Sequence, residues 1–375
     1  MIPVNSPLID GDESRYLQEC IATGWLSAEG GFVEQFEREF AARVGRAHGV
    51  AVSSGTAALD VAVAALGLGP GDEVIVPTFT IISCVAAILR AGATPIFVDS
   101  DARTWNMNVD QIEPLLNRRT RAIMPVHTYG LPVDMEPLLK LAGDHGLHVI
   151  EDAAEAHGLQ YRGEPCGSFG DISTFSFYAN KLVTTGEGGM VLTDDPAIAE
   201  RCRSLRNLCF GSGRRFVHEE LGWNYRMSNL QAAVGVAQLK QLDRFIRLKR
   251  AMGQRYSDRL TSLAAITLQP ARTEHAENGY WVYGVVLEDH VPLDAAEAMR
   301  RLAERGIGTR PFFWPMHEQP VLKRLGFSDG NARPVSERLA RRGFYLPSGL
   351  GLSQAEIDTV CDEVCALLAD FGIRT

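Results

Sequence analysis

The residues of this chain whose types and spacing suit chemistry fall into three short segments, each following an apolar run that reads as a β-strand. The first, Ser53-Ser54-Gly55-Thr56, opens a helical stretch over Ala57–Leu66. Free amides and the dipole at a helix start favour an anion, and small hydroxyl residues add donors. An ordinary N-cap accounts for the same residues taken alone. The second, Glu151-Asp152-Ala153-Ala154-Glu155, ends a strand with three carboxylates in five residues. Carboxylates there can hold a metal, act as a base or pair with a ring cation. Complementing a helix N-terminus explains one or two of them, but poorly explains an acid directly after Ile150. The third is an aromatic-rich run, Thr174-Phe175-Ser176-Phe177-Tyr178-Ala179-Asn180, leading into Lys181 and then Thr184-Thr185-Gly186-Glu187-Gly188-Gly189. Most lysines sit on solvated faces. A lysine among aromatic residues and next to a glycine loop can instead lose hydration and become a nucleophile toward a carbonyl.

One chemistry uses all three segments. Pyridoxal phosphate requires a lysine for its Schiff base, a carboxylate to keep its ring nitrogen protonated, and a cup for its phosphate. Lys181, Asp152 and the helix start at Gly55 and Thr56 meet those needs. Phe79, in Pro77-Thr78-Phe79-Thr80, is a candidate to stack on the ring, although for a bare aromatic core packing is the stronger reading. A dinucleotide-dependent oxidoreductase is weakened by the lack of a G-x-G-x-x-G segment. Gly67-Leu68-Gly69-Pro70-Gly71 follows a helix and reads as its C-cap and turn.

The elements that must hold these residues alternate. Strand patterns at His48–Ser53, Glu73–Pro77, Thr94–Val98, Ala122–Val126, His148–Glu151, Ile172–Phe177 and Met190–Thr193 are interleaved with helical ones at Thr56–Leu66, Ser83–Ala91, Asp110–Leu116 and Met135–His145. Near-continuous apolar strands separated by helices predict an α/β fold with a mostly parallel sheet covered on both faces, its ligand site just beyond the strand ends. Past residue 200 a long helix from Asn229 to about Leu263, capped by Ser228, precedes a strand at Trp281–Leu287 and helices at Leu293–Arg305 and Ser353–Phe371. We expect a large domain over residues 1–245 and a smaller α/β domain over 246–375.

Composition sets outer bounds. The 375 residues are 46% hydrophobic and 22% charged, which excludes wholesale disorder. A net charge of -9 argues against general nucleic-acid binding, which needs a basic face. The longest apolar runs, Val61–Leu66 and Ile81–Leu89, fall short of a membrane span. No signal-peptide pattern opens the chain, and seven scattered cysteines include no CxxC. Cys361 and Cys365 read as packed thiols on a helix rather than half of a metal site. Together these predict a cytoplasmic protein with no structural metal.

The segments also carry a family resemblance. Trp25-Leu26-Ser27, Phe36-Glu37-Arg38-Glu39-Phe40, Ser53-Ser54-Gly55-Thr56-Ala57-Ala58-Leu59, Gly69-Pro70-Gly71-Asp72-Glu73-Val74, Glu151-Asp152-Ala153-Ala154, the Lys181 segment and Asn224-Tyr225-Arg226-Met227-Ser228-Asn229 resemble, in that order, the DegT/DnrJ/EryC1/StrS nucleotide-sugar aminotransferases. The resemblance covers essentially the whole chain. It implies the fold type I architecture of pyridoxal-phosphate-dependent transferases, with Lys181 as the Schiff-base lysine and Asp152 as partner of the ring nitrogen. By position it places Glu155 near the cofactor hydroxyl and Gly55, Thr56 and Ser176 at the phosphate. Asn224 would reach the phosphate of a neighbouring subunit, which implies a homodimer with shared active sites. Members with histidine at the lysine position are dehydratases, so Lys181 implies transamination.

Within the family, Phe177–Lys181, Thr184–Met190, Glu155 and Arg310-Pro311-Phe312-Phe313-Trp314-Pro315-Met316-His317 are most similar to members that aminate C4 of a GDP-linked 4-keto-6-deoxy sugar. The sequence departs from those members at Ala179, commonly Gly, and at Ile81, where Tyr is frequent. The implied substrates are L-glutamate and a nucleotide-diphosphate sugar, with UDP- and dTDP-linked keto sugars aminated at C4 or C3 as the alternative. Arg310, Arg214 and Arg215 are candidates for the diphosphate, and His127, Trp314 and His317 for the sugar. A binding-only regulator that kept the fold would have no need of Lys181, Asp152 and Asn224 together.

Overall fold

Alternation along the strands decides how the sheet is covered. In the computed structural model, which describes residues 1–210 and 216–373, β1 (His48–Val52) turns Val50 and Val52 to one face and Ala51 to the other. The same division runs through β2 (Glu73–Pro77), β3 (Thr94–Val98), β4 (Thr120–Ile123) and β5 (His148–Asp152). After the two-residue pair β6 (Gln160–Tyr161) and β7 (Glu164–Pro165), it continues in β8 (Ile172–Ser176) and β9 (Gly189–Thr193). Val74, Val76, Ala122, Ile150, Ile172 and Val191 pack against the helices Gly55–Ala65 and Ile82–Arg90. Phe175, Met190 and Leu192 pack against Gly31–Val44 and Asn229–Leu239. Ile75, Ile123 and Val149 meet the helix Met135–His145. Burial on both faces explains why these strands are apolar throughout.

The large sheet runs β1-β9-β8-β5-β4-β2-β3. β3, β2, β4, β5 and β8 are mutually parallel, and β9 alone runs against its neighbours β8 and β1. A second, antiparallel sheet has the order β10 (Ile266–Leu268), β11 (Tyr283–Leu287), β13 (Gly343–Leu346), β12 (Arg310–Pro311). One of its faces packs Tyr283, Val285 and Leu287 against the helices Leu242–Leu260, Ala295–Glu304 and Gln354–Ala369. Its other face joins Val286 and Phe312 to Phe79, Trp105 and Tyr129 from loops of the large sheet. This aromatic cluster is the junction of the two sheets.

Three local expectations change. The helix expected from Asn229 to Leu263 is two helices, Asn229–Leu239 and Leu242–Leu260, separated where Gln241 takes φ -95° and ψ -3° and leaves the helical ladder. Asp110–Leu116 forms two single 3₁₀ turns around Pro114, whose ring excludes a continuous α-helix there. The fourth strand pairs over Thr120–Ile123 rather than Ala122–Val126.

Candidate active site

The parallel strands end on one edge, and a cavity of about 360 Å³ opens there. It draws Ser54, Gly55 and Thr56 from the end of β1 and Thr80, Ile81 and Ser83 from the end of β2. Asp152 and Glu155 come from β5, and Thr174, Ser176 and Lys181 from β8. Trp281, Phe313 and Tyr345 close it from the small sheet. Strand ends of an open parallel sheet are where backbone geometry leaves a crevice.

At one wall the helix Gly55–Ala65 starts. Ser54 caps it by accepting the Ala57 amide, while the amides of Gly55 and Thr56 have no carbonyl one turn back to bond. Ser176 stands directly against this start. A Cβ on Gly55 would lie 2.6 Å from the Ser176 Cβ, so only glycine lets the hydroxyl approach. Gly189 serves the same wall from β9, because a Cβ there would lie 2.3 Å from the Ser54 carbonyl oxygen. The Thr56 and Ser83 hydroxyls bond each other at 2.9 Å. The result is a concave group of amides and hydroxyls beside the positive end of a helix, a site built for an anion.

Asp152 forms the floor. One carboxylate oxygen accepts the Ala154 amide at 3.0 Å and the other the Cys84 thiol at 3.2 Å. Burial pushes this carboxyl above its ordinary range, and the Ala154 and Cys84 bonds pull it back. No side-chain cation bonds it among the described residues, which suits a partner cation supplied by a ligand. Thr174 Oγ1, also in the cavity wall, is buried with no protein partner.

The Lys181 ammonium lies 3.4 Å from Glu155 and 3.7 Å above the centre of the Trp281 ring. Trp281 donates its indole N–H to the Asn180 carbonyl at 2.8 Å, tying ring and lysine segment together. Burial drives the Glu155 carboxyl up to about 7, against the pull of Lys181. Its second oxygen accepts the Tyr129 amide at 2.8 Å. Tyr129 holds φ 59°, a left-handed conformation that a tyrosine adopts only under packing constraint, and it is fully buried. That strain aims its amide at Glu155. An amine, two carboxylates in different surroundings and an anion cup within one cavity match the needs of pyridoxal phosphate, and the residues present fit it.

Other sequence candidates lie elsewhere. Phe79 has no exposed surface and packs edge-on against Tyr129, Phe312 and Phe313. The expectation of a stacking ring is corrected, because Phe79 is junction core and Phe313 lines the cavity. His127 is wholly buried: Nδ1 accepts the Val133 amide, so Nε2 donates to Glu151 at 2.8 Å. Glu151 also accepts the Gly167 and Phe169 amides, which spends it structurally. His317 bonds Thr78 through Nδ1 and Glu337 through Nε2. Neither histidine has a free atom for a sugar, and neither lines the cavity. Trp314 is exposed beneath the Arg341 guanidinium, also outside it. Arg310 is exposed on β12 directly across from Tyr345, a cavity residue, so it is a cation at the rim. Asn224 is exposed, pairs with Asn207 and does not line this cavity. Arg214 and Arg215 lie outside the described residues.

Sequence reasoning missed Trp281, Tyr345, Tyr129, Ser83 and Cys84. Trp281 and Tyr345 belong to strand-like apolar runs of the second sheet and carry no local mark of facing a distant lysine. Among the described residues no helix is long and apolar enough to cross a membrane.

Comparison with known proteins agrees with this geometry. The pattern of the DegT/DnrJ/EryC1/StrS aminotransferase family matches residues 7–365. GDP-perosamine synthase of Escherichia coli O157:H7 is 42% identical over 369 residues, 98% of this chain and 99% of that protein. GDP-perosamine synthase of Caulobacter vibrioides is 42% identical over 96% of each chain. Among solved structures, the aminotransferase TlmJ of Streptoalloteichus hindustanus superposes with a TM-score of 0.92 at 32% identity, covering 99% of this chain and all of the other. DesV of S. venezuelae gives 0.86 at 36% identity, covering 95% and 94%. The chain belongs to the DegT/DnrJ/EryC1/StrS aminotransferase family and is a pyridoxal-phosphate-dependent sugar aminotransferase.

Proposed function

We propose that the enzyme transfers the amino group of L-glutamate to C4 of a GDP-linked 4-keto-6-deoxy sugar, converting GDP-4-keto-6-deoxy-D-mannose to GDP-perosamine. The observation that carries this reading is the full-length similarity, at 42% identity, to two proteins named GDP-perosamine synthase. When bound, pyridoxal phosphate supplies the electron sink for breaking and making bonds at the amino-bearing carbon.

The remaining work falls to this chain's own side chains. Lys181 would hold the cofactor through its amine, and its Nζ is placed to carry a proton at the reacting centre. Asp152 holds the proton on the ring nitrogen. Gly55, Thr56 and Ser176 receive the phosphate at the helix start. Glu155, buried and bonded to Lys181, would stand near the cofactor hydroxyl and can take up or return a proton near neutral pH. Arg310 at the rim meets the carboxylate or diphosphate of an incoming substrate. Trp281 and Tyr345 close off water from the small-sheet side.

Two further parts of the reading concern assembly and place. Asn224 of each subunit completes the phosphate site of its neighbour in a homodimer. Its exposure and its position away from its own cavity support this. The seven free thiols and the lack of a membrane-spanning helix among the described residues support a cytoplasmic enzyme.

The test is an amination assay with glutamate and GDP-, UDP- and dTDP-linked 4-keto-6-deoxy sugars, with the product's amino position read by NMR. Preference for the GDP sugar and a C4 amine is the expected result. Equal or greater turnover of a UDP or dTDP sugar, or a C3 amine, would overturn it.

A further inference from the structure

Asp152 is held by a chain of side chains that the reaction itself does not require. Cys84 lies near the start of the helix Ile82–Arg90, four residues after Thr80 in the loop that leaves β2. Its thiol has no exposed surface and sits 3.2 Å from Asp152 Oδ2 and 3.4 Å from the Thr80 hydroxyl. A thiol has a single hydrogen. Asp152 is the acceptor in this contact, so that hydrogen goes to Asp152 and the Thr80 hydroxyl donates to sulfur. The direction of the chain is thus fixed from Thr80, on the cavity wall, through Cys84 to the carboxylate.

We propose that Thr80 and Cys84 form a hydrogen-bond relay that positions the Asp152 carboxylate and keeps it in its ionised, proton-accepting form. This rests on the reading of Asp152 as partner of the cofactor's ring nitrogen. The geometry accounts for the choice of residues. The Ala154 amide holds one carboxylate oxygen and Cys84 the other, so the plane of the group is fixed by two donors from different elements. Burial alone drives a carboxyl toward its neutral form, and a carboxyl that kept its proton could no longer pair with a ring cation. Donors to the carboxylate oppose that drift, and Cys84 is one of the groups that lowers Asp152. Burial also pushes the thiol well above its ordinary range, so it stays a donor across the working pH. The other titratable groups that face Asp152 are Lys181, Glu155 and His127. Cys84 is thus a positioning residue, acting through Asp152.

The test follows the cofactor-loaded full-length enzyme as pH is lowered and records where its visible absorbance band is lost. Thermal melting of each variant confirms folding. Cys84→Ala should move this acid limb upward by roughly half to one pH unit, the equivalent of one modest hydrogen bond. Cys84→Ser, which keeps a donor, should restore the wild-type limb, and Thr80→Val should produce a smaller upward shift. Asp152→Asn should remove the limb altogether. An unmoved limb in Cys84→Ala, or a shift that Cys84→Ser fails to rescue, overturns the relay while leaving Asp152 in place. A wild-type limb in Asp152→Asn overturns the reading of Asp152 itself, and the relay with it. Should Cys84→Ala fail to fold, Thr80→Val decides: an upward shift supports the relay and none overturns it.

Discussion

Two lysines are largely withdrawn from solvent among the described residues, Lys249 fully and Lys181 in part, and they sit in regions that use burial differently. Lys181 lies in the cavity at the edge of the large sheet, with a carboxylate at 3.4 Å and an indole face at 3.7 Å. Lys249, on the helix Leu242–Leu260, lies behind the small sheet and bonds only the backbone carbonyls of Trp281, at 2.8 Å, and Ser348. Burial drags Lys249 down to about 7, and no nearby charge offsets it. The two are linked, because the Trp281 whose carbonyl Lys249 holds is the Trp281 whose ring covers Lys181. Burial therefore does not single out the reacting lysine. A titratable neighbour and an anion cup within reach do so, while the Lys249 amine is spent on two fixed backbone acceptors.

The largest test of that contrast is Lys181→Ala. We expect loss of the cofactor's visible absorbance and a fall in turnover of at least roughly 10⁴-fold, with thermal stability changed by less than about 1 kcal/mol. Residual amination at more than a small fraction of the wild-type rate would break the comparison. Lys249→Met should do the reverse. It leaves two buried carbonyls without donors, so unfolding free energy should fall by about 1–3 kcal/mol, while cofactor absorbance survives. Denaturant titration and an absorbance spectrum of the same sample read both. Arg310→Ala sharpens the contrast at the cavity rim. An exposed cation that meets a substrate's anionic group should raise KM for the nucleotide sugar or glutamate by about tenfold, with kcat nearly unchanged and no loss of stability. A kcat defect instead would move Arg310 into the reacting group.

The same contrast explains what could be read before the structure. Lys181, Asp152, Gly55, Thr56 and Ser176 were legible because each lies at the end of a strand whose apolar run is unmistakable, and strand ends of a parallel sheet converge. Glu155 and Asn224 came from family position, and nothing local in Asn224 distinguishes it from an ordinary loop residue. The half of the cavity built by the second sheet was not legible. Trp281 and Tyr345 join Lys181 in one cavity from far along the chain, and in sequence each is one aromatic in an apolar run. His127 and His317 misled for the opposite reason. A histidine looks reactive in sequence, and only coordinates show both ring nitrogens already spent on Val133 and Glu151, or on Thr78 and Glu337. The long helix was overextended because its apolar rhythm continues across Gln241, where the backbone does not.

The last effect is the most specific to Lys249. Its pKa is about 7 in the folded chain against an ordinary value of 10.5, so between those limits the unfolded chain binds a proton that the folded chain does not. Stability from this group is therefore fully present above about pH 10.5 and is lost as pH falls through about 7. The neutral amine keeps two N–H donors, enough for both carbonyls, so losing the proton breaks no bond. Buried tyrosines and thiols are pushed the other way, Tyr345 and Cys361 each to about 12, and they lower stability as pH rises. The total curve therefore mixes signs, and the difference between wild type and Lys249→Met isolates the lysine. From pH 7 to 9 that difference should grow in favour of wild type by up to about 1.4 kcal/mol per pH unit. A difference that stays flat over this range would mean that Lys249 remains charged inside the fold, and the two lysines would then differ less than their surroundings imply.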